Sequence, residues 1–354
     1  MGETLRSVLR LLMISLLAMI FLNAVASSSK NSLPPLESVI EMEERRGVEQ
    51  TFLTFPEWYL VHSPAEFARE IATKPTHEFP FVAHIGQLWS SYGSVVREQV
   101  RETYPINAGY HVMIAVIGSS TTLEYSMRWI YENTLGRISW ALSSEQHTAE
   151  EQFAAVVAQD YVNFIRQQPW YLFDFTEKLK SLWTTVPAYD TNLLRKWERR
   201  YALTTEYLVK AIYGKIIEKA TRTAYTPAVA TTRVQVDHFT SEVQIENVKL
   251  VRQLADGTAV IDMPRYFDFR LAATALATKN IHLLDIAGNQ SVILVSAWVN
   301  TDFADRRWRV LFKQDLITQP GKKRVALVVP VRELSNFLNL APSNGISVEH
   351  IYDY

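Results

Sequence analysis

The sequence predicts an α+β fold, in which a mainly helical domain over residues 51–225 precedes an α+β domain with a mostly antiparallel sheet over residues 229–354. Apolar residues recur with a helical period in the first region, and after Thr226-Pro227-Ala228 the period changes to the alternation typical of strands. A third observation is a short apolar segment at the N-terminus, which predicts a signal peptide or membrane-anchor helix. A chain of 354 residues is long enough for two such domains.

Residues 1–26 have the pattern of an export signal. Arg6 and Arg10 precede the apolar run Leu11–Leu22, and the small-residue step Ala24-Val25-Ala26 follows it. The 12-residue run is typical of a cleaved signal peptide, whereas the longer uncharged stretch around it approaches the length of a membrane anchor. Cleavage and retention both stay open, and both place the rest of the chain beyond the membrane. We therefore expect a membrane-anchored or periplasmic, extracytoplasmic protein of the cell envelope, with membrane lipid as the partner of this segment.

Composition excludes several classes of function. The chain has 36 Lys and Arg against 37 Asp and Glu, so nothing global favours nucleic acid, and we expect no nucleic-acid partner. It has no cysteine, which excludes disulfides, thiolate zinc sites and covalent haem attachment. No zinc-protease, nucleotide-binding or serine-hydrolase motif occurs. We expect no metal and no cofactor.

Prolines determine what the sequence predicts for residues 27–50 and for the first helix of the helical domain. Residues 27–50 predict a linker, because Pro34-Pro35 and a serine cluster resist regular structure and mixed charges keep the segment solvated. A short helix over Glu37–Arg46 is compatible with this composition. The first helix of the domain is expected to begin near Pro56 and to be divided at Pro64.

Further helices follow in the helical domain. Phe79–Glu102 and Ile106–Glu132 predict a helix pair, and Gly136 is expected to cap the end of the second helix. Thr148 stands three residues before Glu151, which is the spacing of a capping box at the start of the next helix.

The last predicted helix of this domain is rich in basic and aromatic residues. Its stretch Arg195–Arg222 contains eight Lys and Arg against three Asp and Glu, with Trp197 and Tyr201 among them. Two interpretations stay open. The basic residues contact anionic lipid or a polyanionic wall polymer, or they form a solvated face opposite an aromatic face that packs in the core.

In the second domain, strand-like alternation at Val234–Val236, Val243–Ile245 and Val248–Leu250 comes first. After Asp256 the predicted order is strand, helix, four strands, helix and strand. Alternating Val, Ile and Leu mark the strands, and turn residues separate two predicted hairpins. The hairpins are expected from Ile281–Ile286 with Val292–Val299 and from Arg309–Ile317 with Arg324–Val329, and the helices over about Arg265–Thr278 and Val331–Leu340.

Five residues are candidates for binding. Three of them are Glu57, Tyr59 and His62. The spacing of Tyr59, His62 and Glu66 places these three side chains on one helix face, beside aromatic rings. Such a polar cluster suits a sugar or lipid headgroup, although a surface contact between His62 and Glu66 gives the same pattern. The other two candidates are basic residues of the next predicted helix and the segment after it, Arg128 and Arg137.

An enzymatic alternative uses four other side chains. Glu124 and Glu132 flank Arg128 at steps of four, and Glu124 ends a long uncharged run, where burial raises the pKa of a carboxyl toward that of a general acid or base. His84 and His111 are the histidines of the two uncharged stretches and are expected to face inward. A hydrolase or transferase of the envelope requires these four groups around one cleft, whereas a salt-bridged helix and hydrogen-bonded core histidines are the structural alternative.

A membrane hairpin over residues 79–123 is a further alternative. Phe79–Val96 and Ile106–Leu123 lack charged residues, but both contain many polar side chains, as buried helices of a soluble bundle also do. The sequence as a whole favours an exported or membrane-anchored envelope protein with a non-enzymatic binding or scaffolding role. Its partner is then another envelope protein or a wall polymer, besides membrane lipid.

Overall fold

The computed structural model describes residues 38–143, 147–189, 192–221, 230–304 and 307–353. Helices fill the first part of the chain and two antiparallel sheets the second, so the predicted α+β fold is confirmed. The predicted signal or anchor segment lies outside the described residues and stays a prediction.

The first three helices form the layer that meets the sheets. They are α1 (Gln50–Ile71), α2 (Phe81–Arg101) and α3 (Ala108–Tyr131). The expected division at Pro64 is wrong, because α1 continues through both Pro56 and Pro64. An internal proline costs about 3 kcal/mol in a helix. Here the inner face of α1 is deeply buried, and such tertiary packing routinely overrides propensity.

The third helix does not end at Gly136. A π-helical turn over Glu132–Gly136 joins α3 directly to α4 (Arg137–Ala141), and Gly136 has right-handed helical geometry rather than that of a cap. A β-carbon at Gly136 would lie 2.6 Å from a carboxylate oxygen of Glu132 and 3.2 Å from the guanidinium of Arg199. The glycine therefore serves close packing of an ion pair, not helix termination.

Three more helices complete the helical domain: α5 (Ala149–Ile165), α6 (Phe175–Thr184) and α7 (Leu193–Thr221). The capping box of α5 is confirmed, since Thr148 Oγ1 accepts from the Glu151 amide and Glu151 accepts from the Thr148 amide. Within the described part of the chain, no helix is both long enough and apolar enough to cross a bilayer.

The second domain contains two four-stranded sheets instead of one. The first has the order β2-β3-β1-β4 and the second β6-β7-β5-β8, with all pairs antiparallel. Helices α8 and α9 pack with both sheets around one apolar core. The elements are β1 (Thr231–Val236), β2 (Lys249–Gln253), β3 (Ala259–Pro264), α8 (Phe267–Thr278), β4 (Leu283–Ile286), β5 (Val292–Asn300), β6 (Arg309–Asp315), β7 (Lys322–Pro330), α9 (Leu334–Leu340) and β8 (Ser347–Ile351).

One of the two predicted hairpins is confirmed. β6 and β7 pair as expected, but β4 pairs with β1 and β5 pairs with β7 and β8. The chain turns back on itself after β4, because Ala287 and Gly288 have φ of 50° and 84° and the Ile286 amide donates to the Asn289 carbonyl. This tight turn separates the two strands, which then join different sheets.

The predicted linker differs from expectation where the structure describes it. Ser38 Oγ donates to Asp285 at 2.6 Å, and the Arg46 amide donates to the Ala287 carbonyl at 2.7 Å. Ile40 is buried, and only Met42–Glu44 forms a helical turn. Residues 38–49 thus pack on the first sheet instead of extending into solvent.

The helical layer is joined to the second sheet through α1 and α2. Thr51 Oγ1 in α1 accepts from the Leu294 amide at 2.9 Å and donates to the Tyr352 carbonyl at 2.7 Å. An apolar cluster of Phe52, Phe55 and sheet residues covers this contact. In α2, the backbone carbonyl of Gln87 accepts from the side chain of Gln314 in β6.

Candidate functional site

The inner face of α1 carries Tyr59, His62, Ser63 and Glu66, all buried. Their spacing along a helix places them on one face, which is where the sequence predicts Tyr59, His62 and Glu66. This face meets α2 and the strands β7 and β8. We refer to these four residues together with His84, Arg324, Glu349 and Tyr352 as the buried junction.

Arg324 lies at the centre of the buried junction between two carboxylates. Its Nη2 donates to Glu66 Oε1 at 2.8 Å and to Glu349 Oε1 at 2.9 Å, and its Nε donates to Glu349 Oε2 at 2.7 Å. Arg324 and Glu66 are almost completely buried. Burial raises the pKa of Glu349, but attraction to Arg324 and His62 outweighs this and lowers it to about 2. Arg324 and Glu349 therefore stay charged at neutral pH.

His62 links the same carboxylate to a buried tyrosine. Its Nδ1 lies 3.4 Å from Glu349 Oε1, and its Nε2 lies 3.1 Å from the hydroxyl of Tyr352. Burial lowers the pKa of His62 to about 4, so its imidazole is neutral at physiological pH. The contact between His62 and Glu66 that the sequence suggested is replaced by this contact with the second sheet.

Ser63, His84 and Glu66 have the residue types of a nucleophile, a base and an acid. Ser63 Oγ lies 2.9 Å from His84 Nδ1, and His84 Nε2 lies 3.7 Å from Glu66 Oε2. Ser63 Oγ also contacts the Tyr125 hydroxyl at 2.8 Å, and burial lowers the pKa of His84 to about 3. The three residues are between 0% and 2% exposed. In this enclosed geometry they hold α1, α2 and α3 together.

The remaining catalytic candidates lie in separate contacts. His111 bonds to the Tyr92 hydroxyl at 2.8 Å and to Gln99 at 2.9 Å, as expected for a hydrogen-bonded core histidine. Among the described residues, no hydrogen bond or ion pair joins His84 or His111 to Glu124 or Glu132.

The predicted glutamate and arginine stripe of α3 is an ion-pair network. Arg128 binds Glu124 at 3.1 Å and also contacts Glu206 of α7, while Lys210 lies 3.2 Å from Glu124. Burial raises the pKa of Glu124, but Lys210 and Arg128 bring it below its ordinary value, which differs from the raised pKa expected. Glu132 pairs with Arg199 at 2.9 Å. These contacts give the stripe a structural role.

The other binding candidates are dispersed. Tyr59 donates from its hydroxyl to Gln87 inside the buried junction, at 3.0 Å. Glu57 is exposed and accepts from the Tyr110 hydroxyl at 2.9 Å, and Arg137 is also exposed. The structure brings Tyr59 and His62 together and leaves Glu57, Arg128 and Arg137 apart from them.

At the start of α7 the basic side chains face the protein interior, whereas the sequence predicts that they face outward. Arg195, Lys196, Arg199 and Arg200 are at most 4% exposed. Lys196 donates to Glu150 at 2.7 Å, and Nε of Arg200 donates to the same oxygen at 2.9 Å. Arg195 and Arg199 pair with other buried carboxylates, Glu151 and Glu132. The expectation of an outward basic face is therefore wrong for these four residues, which are charged and interior.

The opposite face of α7 exposes a row of apolar side chains, with Thr205, Lys215 and Lys219 among them. Its side chains lie within an arc of about 100° around the helix, at 100° per residue. Trp197 also approaches exposed Trp183 of α6, with ring centroids 6.2 Å apart. The exposed side chains of this arc, which we call the α7 stripe, are Leu194, Trp197, Tyr201, Leu208, Ile212 and Ile216.

Helix α3 presents a second exposed apolar stripe. Five side chains lie within an arc of about 60° and extend about 27 Å along the axis. The π-helical turn adds one residue after Ile130, so that exposure resumes at Leu135, Ile138 and Leu142 rather than one position earlier. The α3 stripe consists of Val112, Val116, Leu123, Met127 and Ile130, continued by Leu135, Ile138 and Leu142.

The described part of the second domain has isolated exposed apolar side chains rather than a stripe. Among its described residues, the exposed large apolar side chains are Val251, Leu271 and Leu340. Scattered single exposures of this kind are ordinary on protein surfaces, whereas contiguous apolar stripes indicate contact with a membrane or a partner. The two stripes are therefore the candidate binding surface.

Comparison with family models, with curated proteins and with solved structures finds no match to this chain. Among the described residues, no group of three His, Asp or Glu is arranged to hold a metal ion.

Sequence reasoning missed Arg324 and Glu349, the partners of Glu66 and His62. Arg324 begins the predicted strand Arg324–Val329, whose following residues are apolar, and a charged residue at such a position is a sign of a buried ion pair. Its partner Glu66 is 258 positions earlier, a separation that local patterns do not reveal.

Replacing Arg324 by methionine is expected to destabilise the fold strongly. Arg324→Met leaves Glu66 and Glu349 buried without their cation, which costs about 3–5 kcal/mol. The neighbouring Lys323→Met removes a surface pair with the exposed Asp315, and this costs less than about 1 kcal/mol. Urea unfolding of both variants in one buffer measures the difference, and equal losses would contradict the role assigned to Arg324.

Asp353 is a buried carboxyl next to the end of β8. Its Oδ1 accepts from the Tyr266 amide at 3.2 Å, and its Oδ2 lies 3.8 Å from Arg265 Nε. Burial raises the pKa of Asp353 to about 7, although Arg265 opposes the shift. Because the unfolded chain releases this proton at much lower pH, the carboxyl favours the folded state at acidic pH and loses this contribution as pH rises through 7.

The variant Asp353→Asn, which resembles the protonated carboxyl, is expected to remove this pH dependence. Relative to the variant, the native protein should lose stability between pH 4 and pH 7, by about 4 kcal/mol at most. Urea midpoints of both proteins at four pH values in this range measure the effect. A stability difference that is constant across the range would show that Asp353 does not titrate there.

Proposed function

We propose that this is a membrane-bound binding protein of the cell envelope, whose helical domain lies on the surface of a lipid bilayer. The single observation that carries the proposal is the arrangement of α7, in which the four basic side chains at its start are buried and a row of apolar side chains is exposed. Water is an unfavourable environment for such a face, and a bilayer surface is a favourable one.

The energetics support a lipid partner. Removing a Leu, Ile or Met side chain fully from water contributes about 1.5–3 kcal/mol, and most stripe residues are about half exposed. Covering either stripe is therefore worth several kcal/mol. Trp197 and Tyr201 belong to the α7 stripe, and amphipathic aromatic rings of this kind favour the boundary between headgroups and acyl chains.

The N-terminal apolar segment supports the same environment. If it is retained, it anchors the chain and raises the effective concentration of the stripes at the bilayer. If it is cleaved, the stripes alone provide the contact. In both cases the α+β domain extends from the membrane, where we propose that it binds another envelope protein or a wall polymer without catalysing a reaction.

The absence of cysteine allows a direct test on the full chain. Leu123→Cys and Ile212→Cys, each labelled with an environment-sensitive fluorophore, report on the two stripes in reconstituted vesicles. Leu340→Cys is the matched control, because Leu340 is an exposed helical leucine of the second domain, 45% exposed against 54% for Ile212. We expect lipids that carry a quenching group to quench the labels at 123 and 212 and not the label at 340.

Two outcomes would contradict the proposal. Labels at 123 and 212 that are as accessible to aqueous iodide as the label at 340 would place the stripes in water. Labels that are shielded from iodide and also unaffected by the quenching lipids would show that a protein surface, and not lipid, covers the stripes. Since an anchor alone tethers all three variants equally, anchoring does not produce the expected difference.

A further inference from the structure

Three arginines from different helices meet beside the buried junction, outside the stripes. Arg69 of α1 lies over the ring of Trp298, 4.8 Å from its centroid. Arg166, which follows α5, and Arg270 of α8 lie over the same ring, that of Phe267, each 5.1 Å from its centroid. Arg69 is exposed, and the other two are half-buried.

These three guanidinium groups have no carboxylate partner among the described residues. Arg69 donates to the carbonyl of Ala65 at 3.2 Å and Arg270 to that of Val348 at 3.3 Å. The Nε of Arg270 is buried without a hydrogen-bond partner. Arg101, Arg233 and Arg309, by contrast, each bind a neighbouring acid.

The nearest acid is already neutralised. Glu349 accepts from Arg324 through both oxygens and from Trp298 Nε1 at 2.8 Å. The charge of Arg324 is in turn shared with Glu66. Counting Glu66 and Glu349 as negative, and Arg324 with the three outer arginines as positive, leaves a local charge of +2.

The titration behaviour agrees with this excess of positive charge. Burial first, and the charge of Arg69 second, lower the pKa of Arg166. Burial and then Arg166 lower the pKa of Arg270. Attraction to Glu349 acts in the opposite direction on the pKa of both groups but does not outweigh these effects. A bound anion would favour the charged forms of Arg166 and Arg270.

We propose that Arg69, Arg166 and Arg270 form a binding site for a phosphate group. Guanidinium forks match the geometry of phosphate oxygens and bind them through charge-assisted hydrogen bonds. The rings of Phe267 and Trp298 hold the forks in place beside the site. The phosphate belongs either to a lipid headgroup or to a soluble molecule. This site shares no residue with the stripes, so it stands or falls independently of the proposed function.

The test uses the full chain in neutral detergent micelles. Equilibrium dialysis against radiolabelled inorganic phosphate, at constant ionic strength, measures binding of the soluble form. Retention of phosphatidic acid from mixed micelles, relative to phosphatidylcholine, measures binding of the headgroup form. We expect saturable binding in at least one of the two measurements, and at least about tenfold weaker binding by Arg166→Gln/Arg270→Gln.

Two further variants keep the result interpretable. Arg332→Gln is the control, because Arg332 is an exposed arginine near the other end of β5, about 20 Å from Trp298, and should bind as the native protein does. Arg69→Gln changes an exposed side chain and should weaken binding without affecting the fold, even if the double variant unfolds. Binding in neither measurement, or binding equally strong in Arg69→Gln and Arg332→Gln, would overturn the proposal.

Discussion

Burial of four basic side chains of α7 is the constraint on which the functional account depends. A buried cation is tolerated only where a carboxylate and further hydrogen bonds compensate its lost hydration. Glu132, Glu150 and Glu151 provide that compensation from α5 and from the π-helical turn. Once this side of α7 faces the carboxylates, helical geometry places the apolar side in contact with whatever surrounds the protein.

The same ion pairs determine local features elsewhere. At Gly136, a β-carbon would displace the ends of the paired Glu132 and Arg199 side chains. The π-helical turn that contains both Glu132 and Gly136 also keeps the α3 stripe continuous, because it adds one residue to the helical repeat. In the buried junction, on the side facing the sheets, buried charges are also paired, because Arg324 binds both Glu66 and Glu349. In both places, pairing of charges between distant segments fixes the orientation of a helix.

Local patterns in the sequence predict most of the helices, the change to strands and one hairpin correctly, but they do not predict α6. The capping box of α5 was readable because Thr148 and Glu151 act within one turn. Local patterns do not reveal which face of α7 is buried. A periodic apolar face is ordinarily the interior face, and Glu150, which compensates the buried charge, lies on another helix. The division into two sheets was also hidden, because strand partners are chosen by contacts over long separations. Tyr59, His62 and Glu66 were placed correctly on one face, but their partners Arg324 and Glu349 were beyond local reasoning.

The most direct measurement of the central claim is the accessibility of spin labels placed at each position from 122 to 131 of α3 in vesicles that contain the full chain. If the stripe faces acyl chains, relaxation by oxygen should be greatest at Leu123, Met127 and Ile130, with a period of about 3.6 residues. Relaxation by a water-soluble nickel complex should be smallest at the same positions. Greatest relaxation by the nickel complex at these three positions would show that the stripe faces water, and would contradict the account.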